Sequence, residues 1–173
     1  MSKVMLAIMG LVFSFVATTN AAIDETIRLK ETIEINAPIE KVWAKIGNFG
    51  DMSWHPGIEK TVITNGKASE VGATRVLTLK DGGFVNETLT SLDAQVTSFK
   101  YEITESVLPV REFGATIKLK SSGDGKTTVT WSAMFKRKDP ANPGAKGQDD
   151  EAAKVAITGV LQSGLANAKK ILE

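Results

Sequence analysis

The sequence predicts an α+β domain in which a curved antiparallel sheet of about seven strands wraps a long C-terminal helix, with short helical structure after the first strand. Three observations carry this. Residues 27–35 alternate between apolar and polar side chains, interrupted only at Glu31, the mark of a strand with one buried face. Turn chemistry at Asn65-Gly66, Asp81-Gly82-Gly83 and Gly123-Asp124-Gly125 cuts the stretch from 58 to 138 into short strand-like runs. The last segment, Asp149 to Leu172, opens on Asp149-Asp150-Glu151 and closes near Lys169-Lys170, which matches the charge preference of a helix dipole.

The elements follow in order. Lys3, the apolar run Val4 to Ala17 and the small residues ending at Ala21-Ala22 have the layout of a secretory signal peptide over 1–22, cleaved after Ala21 or Ala22. That run is shorter than the roughly 20 residues a spanning helix needs, so no permanent membrane anchor is expected. Residues 23–173 then form a single domain, with the periplasm as its simplest destination. In the first strand Ile27, Leu29, Ile33 and Ile35 share one face. Pro38 suits a helix's first turn, and Ile39, Val42, Trp43 and Ile46 fall at helical spacing until Gly47 and Gly50 end the run. Strands are expected at 58–64, 73–80, 84–92, 98–107, 111–121 and 126–137, joined as a meander. Asp139 to Gly144, with Pro140 and Pro143, reads as a linker. In the final helix Ile157, Leu161, Leu165, Ala168 and Leu172 form one apolar stripe. Ala152, Ala153, Ala156, Gly159 and Gly164 keep it slim enough to approach a sheet.

Composition excludes several functions. The chain has no cysteine and one histidine, His55, so disulfides, thiolate nucleophiles, iron–sulfur clusters and multi-histidine metal sites are ruled out. Without Lys3 the 21 Lys and Arg fall to 20, level with the 20 Asp and Glu. No basic cluster marks a nucleic-acid-binding face. No phosphate loop, dinucleotide fingerprint, nucleophile elbow or HExxH helix is present. No cofactor and no metal is expected.

Strand alternation also places charges. Glu31, Arg75, Glu87, Glu105, Arg111 and Arg137 each share parity with apolar neighbours, which points them towards the helix-facing side of the sheet. Three acids and three bases there would pair, because an isolated buried charge costs several kcal/mol. A bulge that shifts parity, or a strand end that reaches solvent, is the competing reading for any one of them. Arg75 and Glu87, both mid-strand, lead the set. The expected cavity lining is Trp54, His55, Arg75, Glu87, Tyr101, Glu105, Arg111 and Trp131.

His55 lies between Trp54 and Pro56. In an enzyme it would act as a general acid/base at a cavity mouth, oriented by Glu87 or Glu105. As a structural residue it would pack on Trp54 and be fixed by Pro56. The second reading is favoured, since no nucleophile accompanies it.

The succession Ile33-Glu34-Ile35-Asn36-Ala37-Pro38-Ile39-Glu40-Lys41-Val42-Trp43, then Gly47-Asn48-Phe49-Gly50 and Trp54-His55-Pro56, resembles the START/Bet v 1-like (SRPBCC) superfamily. The polyketide cyclase/dehydrase-like branch is the nearest. Arg75 to Gly82, Tyr101-Glu102-Ile103, Leu108-Pro109-Val110 and Ala156 to Leu165 continue it. The resemblance implies a helix-grip fold. Together with the leader, it is similar to exported accessory proteins of bacterial methanol oxidation. That implies a non-enzymatic helper with methanol dehydrogenase and its cytochrome c acceptor as partners. A carrier of an apolar small molecule and a cyclase or dehydratase using His55 are the alternatives.

Overall fold

The computed structural model describes residues 25–141 and 143–173. The leader expected over 1–22 lies outside the described residues, as does Asn142 of the linker. In chain order the elements are β1 (Ile27–Ile35), α1 (Ile39–Ile46), β2 (Ile58–Asn65), β3 (Thr74–Leu79), β4 (Phe84–Asp93), β5 (Ser98–Ser106), β6 (Val110–Gly123), β7 (Lys126–Arg137) and α2 (Asp150–Leu172). Each stands within two residues of its expected bounds.

The strands form one sheet in the order β1-β7-β6-β5-β4-β3-β2, every neighbour antiparallel. Strands β2 to β7 are a meander. Strand β1 crosses to pair with β7, where Ile27 faces Phe135 and Ile35 faces Thr127. Register shifts in the β2–β3, β4–β5 and β6–β7 pairs are the bulges that bend a sheet.

Helix α1 starts after Pro38, whose φ of −59° and ψ of 147° leave the chain extended at the cap. Val42 and Ile46 bury its apolar side. Its cap residue is Gly47, a position that needs glycine because a Cβ there would lie 2.5 Å from the Trp43 ring. Helix α2 is capped by Asp149, whose side chain accepts the Ala152 N–H at 2.8 Å, satisfying one of the first turn's free donors. Asp150 and Glu151 follow in the first turn and Lys169 and Lys170 occupy the last, as the dipole favours.

The expected stripe of Ile157, Leu161, Leu165, Ala168 and Leu172 is buried. It packs mainly on β1 and β7. Phe49, Phe99, Phe113, Phe135 and Val129 fill the core beneath. Since α2 favours the β1–β7 side, the concave face of β3, β4 and β5 is left partly uncovered by helix, and the site lies there.

Candidate functional site

A cavity of about 440 Å³ separates α2 from the sheet. Leu77, Val85, Ile103 and Phe113 wall it from the strands, and Ile157 and Val160 close it from the helix. Its size suits a small molecule and its wall is largely apolar, as in small-molecule sites generally. Ala156 and Gly159 also line it, so the slim side of α2 creates part of the space. A Cβ on Gly159 would meet nothing within 4 Å.

Arg75 and Glu87 face one another across β3 and β4. Arg75 Nε donates to Glu87 Oε2 at 2.6 Å, and Nη2 lies 2.6 Å from the same oxygen. Nη1 donates to the Phe49 carbonyl at 2.5 Å. The guanidinium carbon sits 4.0 Å from the Phe49 ring centre and 5.6 Å from that of Tyr101, in reach of favourable cation–π contact. Arg75 is 1% exposed and Glu87 5%. Burial pushes the Glu87 carboxyl above its ordinary range, against the opposing pull of Arg75's charge and hydrogen bond. Only Glu87 of the two lines the cavity.

Tyr101 is buried on β5, diagonal to Glu87 on the same face, because Glu87 registers with Ile103 and Leu89 with Tyr101. Its hydroxyl oxygen accepts the Trp131 indole N–H at 3.1 Å. Burial, and secondarily the charge on Glu87, raise its pKa far above the ordinary phenol value. The hydroxyl therefore stays protonated and able to donate.

His55 is held at both ring nitrogens by backbone. Gly57 N–H donates to Nδ1 at 3.1 Å, so Nδ1 must carry the lone pair. That leaves Nε2–H to donate to the Val160 carbonyl on α2 at 3.0 Å. Burial depresses the imidazole pKa, partly countered by the Val160 bond. Beside it, Asn167 of α2 donates to the Trp54 carbonyl at 2.9 Å. Gly164 fits between: a Cβ there would stand 2.6 Å from His55 and 2.8 Å from Trp131. The loop after α1 is thus latched to α2, and the orienting partners anticipated for His55, Glu87 or Glu105, are replaced by main-chain groups.

Of the eight residues expected to line a cavity, His55, Glu87, Tyr101 and Trp131 do so. Trp54 is fully buried behind it, its ring 5.4 Å from that of Trp131 in an edge-on contact. Arg75 lies behind Glu87. Glu105 is on the opposite face, since the shift between Asn86 and Glu87 pairs Glu105 with outward-facing Asn86; Asn86 Nδ2 donates to it at 3.3 Å. Arg111 is turned outward too. The β6 bulge, where Glu112 takes φ of 49°, sets Val110 and Phe113 inward and Arg111 opposite Lys136, with Glu112 as an ion-pair partner.

The other two inward charges serve the frame. Arg137 is buried and binds the Asp139 and Ala141 carbonyls at 2.8 and 2.9 Å and Asp150 at 3.1 Å, so it ties the linker to the start of α2. Glu31 faces α2 and accepts from Gln162 at 3.2 Å, open to solvent. The sequence reading missed Val160 and Ser163, which line the cavity beside the apolar stripe. Their spacing, Val160 three residues after Ile157 and Ser163 three after Val160, was the available signal. Among the described residues no cluster of three His, Asp or Glu could hold a metal ion, and no helix is long and apolar enough to cross a membrane.

A seven-stranded antiparallel sheet gripping a C-terminal helix, with a cavity between them, defines the helix-grip class. The family model described as "Polyketide cyclase / dehydrase and lipid transport" matches residues 26–173. The chain belongs to that family, within the SRPBCC-type superfamily. Among solved structures, the protein XoxI from Bacillus cereus is similar at 24% identity and a TM-score of 0.71, covering 84% of this chain and 94% of that one. An uncharacterized protein from Bacillus thuringiensis matches at 24% and 0.71, over 84% and 98%. A protein from Nitrosospira multiformis matches at 25% and 0.69, over 85% and 97%. At these identities the first two show the fold alone. No curated protein matches.

Proposed function

We propose that this protein is an exported binding protein that holds an apolar small molecule between its sheet and α2. The observation that carries the reading is the cavity of about 440 Å³, apolar along most of its wall and served by the buried polar side chains of Glu87 and Tyr101. Family membership, with lipid transport in its description, agrees with it. Native mass spectrometry of protein taken from its own cells tests this. A retained small molecule, lost when Gly159→Trp fills the space, is the expected result; a ligand-free mass with no uptake from an apolar library would end the proposal. Export is tested by N-terminal sequencing of the periplasmic fraction, with a start at Ala22 or Ile23 expected.

A second reading is an MxaD-like accessory role in methanol oxidation, assisting methanol dehydrogenase to meet its cytochrome c acceptor. Its support is the run of motifs around Trp54-His55-Pro56 together with the leader. A chain with no cysteine and one histidine would act there by binding a redox partner or a small molecule. Adding the purified protein to dehydrogenase and cytochrome should change the rate of cytochrome reduction. An unchanged rate across salt concentrations removes the reading. The cyclase or dehydratase alternative gains little from the geometry, because His55 spends both nitrogens on backbone and Glu105 faces away.

A further inference from the structure

The polar groups of the cavity wall are few, and most are already satisfied. His55 is bonded at both nitrogens and Trp131 donates to Tyr101. Lys80, Asp81 and Ser163 are exposed at the mouth. Two buried groups retain capacity. Tyr101 accepts from Trp131, yet its own hydroxyl hydrogen meets no acceptor among the described residues. Glu87 receives Arg75 on Oε2, and Oε1 takes no hydrogen bond from any described residue. One group offers a donor and the other an acceptor, on one face of adjacent strands and on the wall of one cavity. Left unmet, buried groups of this kind are costly.

The charge balance narrows the partner further. Arg75 neutralises Glu87 from behind and does not reach the wall. A ligand carboxylate would meet the Glu87 oxygen while Arg75 is already committed to Glu87, and a ligand cation would compete with Arg75 for a carboxylate already paired. A hydroxyl has the chemistry both groups lack, able to accept from Tyr101 and to donate to Glu87.

We infer that the cavity selects a neutral, mainly apolar alcohol or phenol whose hydroxyl sits between Tyr101 and Glu87. This rests on the small-molecule reading above and specifies its polar end. Calorimetric titration of the purified protein with 1-decanol, decyl methyl ether, decanoate and decyltrimethylammonium tests it. The ether can accept from Tyr101 but cannot donate to Glu87. Decanol should bind about 3 to 10 times more tightly than the ether, the worth of one hydrogen bond, and both ions more weakly still. Tyr101→Phe keeps the ring and should weaken decanol by a similar factor. If that variant fails to fold, the alcohol-to-ether ratio of the parent decides. Equal affinities, or preference for either ion, would overturn the hydroxyl inference and leave the cavity reading standing. No binding of any of the four, with no uptake by native mass spectrometry, would overturn both.

Discussion

Arg75 and Glu87 are register partners on adjacent strands and meet at 2.6 Å in the interior, 1% and 5% exposed. Removing one member should therefore cost far more than removing both. Glu87→Gln leaves a buried guanidinium unpaired and should destabilise by about 3–5 kcal/mol. The double change Arg75→Met with Glu87→Leu removes both charges, a gain of about 1–4 kcal/mol in comparable sites. It also orphans the Phe49 carbonyl, at about 1–3 kcal/mol. Urea denaturation should then find the double variant near the parent and well above the single one, with ligand uptake lost.

Two glycines of α2 should respond to alanine with opposite signs. Gly159 faces open space, so Gly159→Ala gains about 0.5–1 kcal/mol of helix propensity. Gly164 is the notch that receives His55 and Trp131 at 2.6 and 2.8 Å, so Gly164→Ala should cost about 1–3 kcal/mol through overpacking. Thermal melts of the two variants should move in opposite directions, by about 2–4 °C per kcal/mol.

Acid should loosen the latch between the loop and α2. The folded His55 has a pKa below its ordinary 6.5, burial being the main cause. The unfolded chain thus binds the extra proton first, and His55's contribution, complete above pH 6.5, declines as the pH falls through the folded value. Glu87 has the opposite sign. Its raised folded pKa favours the native state below the ordinary 4.5, and that contribution fades as the pH rises through the folded value. Denaturation midpoints should fall on acidification below about pH 6.5, and His55→Gln should flatten that part of the curve. A parent curve no steeper than the variant's would refute the latch.

Arg137 should control the order of the linker. It gathers two carbonyls and Asp150 around one guanidinium, and hydrogen bonds to a charged group are worth about 1.5–3 kcal/mol each. Arg137→Ala should speed hydrogen exchange and proteolysis between Asp139 and Asp149 with the sheet still protected. Arg137→Lys, which lacks the planar fork, should recover only part of the protection.

How much was legible depended on the regularity of each strand. Parity placed Arg75, Glu87 and Tyr101 on the inner face because β3 at Arg75, β4 from Val85 to Leu89 and β5 from Ser98 to Ile103 carry no extra residue. It failed at Glu105 and Arg111, each beyond a bulge that resets which face the next residue takes. An apolar pattern does not encode where one extra residue is inserted. Trp54 was misplaced for another reason: its loop has no period, so only packing on Trp131 and α2 fixes its depth.

The sequence by itself determined the seven strands, both helices and the stripe that α2 buries, because alternation, turn residues and caps are local signals with fixed periods. Tertiary structure decided that β1 lies beside β7, that α2 leans to that side and opens the cavity over β3 to β5, and that Glu87 and Tyr101 share its wall. It also tied His55 to α2, through a carbonyl 105 residues away in the chain. Contacts across that separation arise from closing the sheet on the helix, and no local pattern records them.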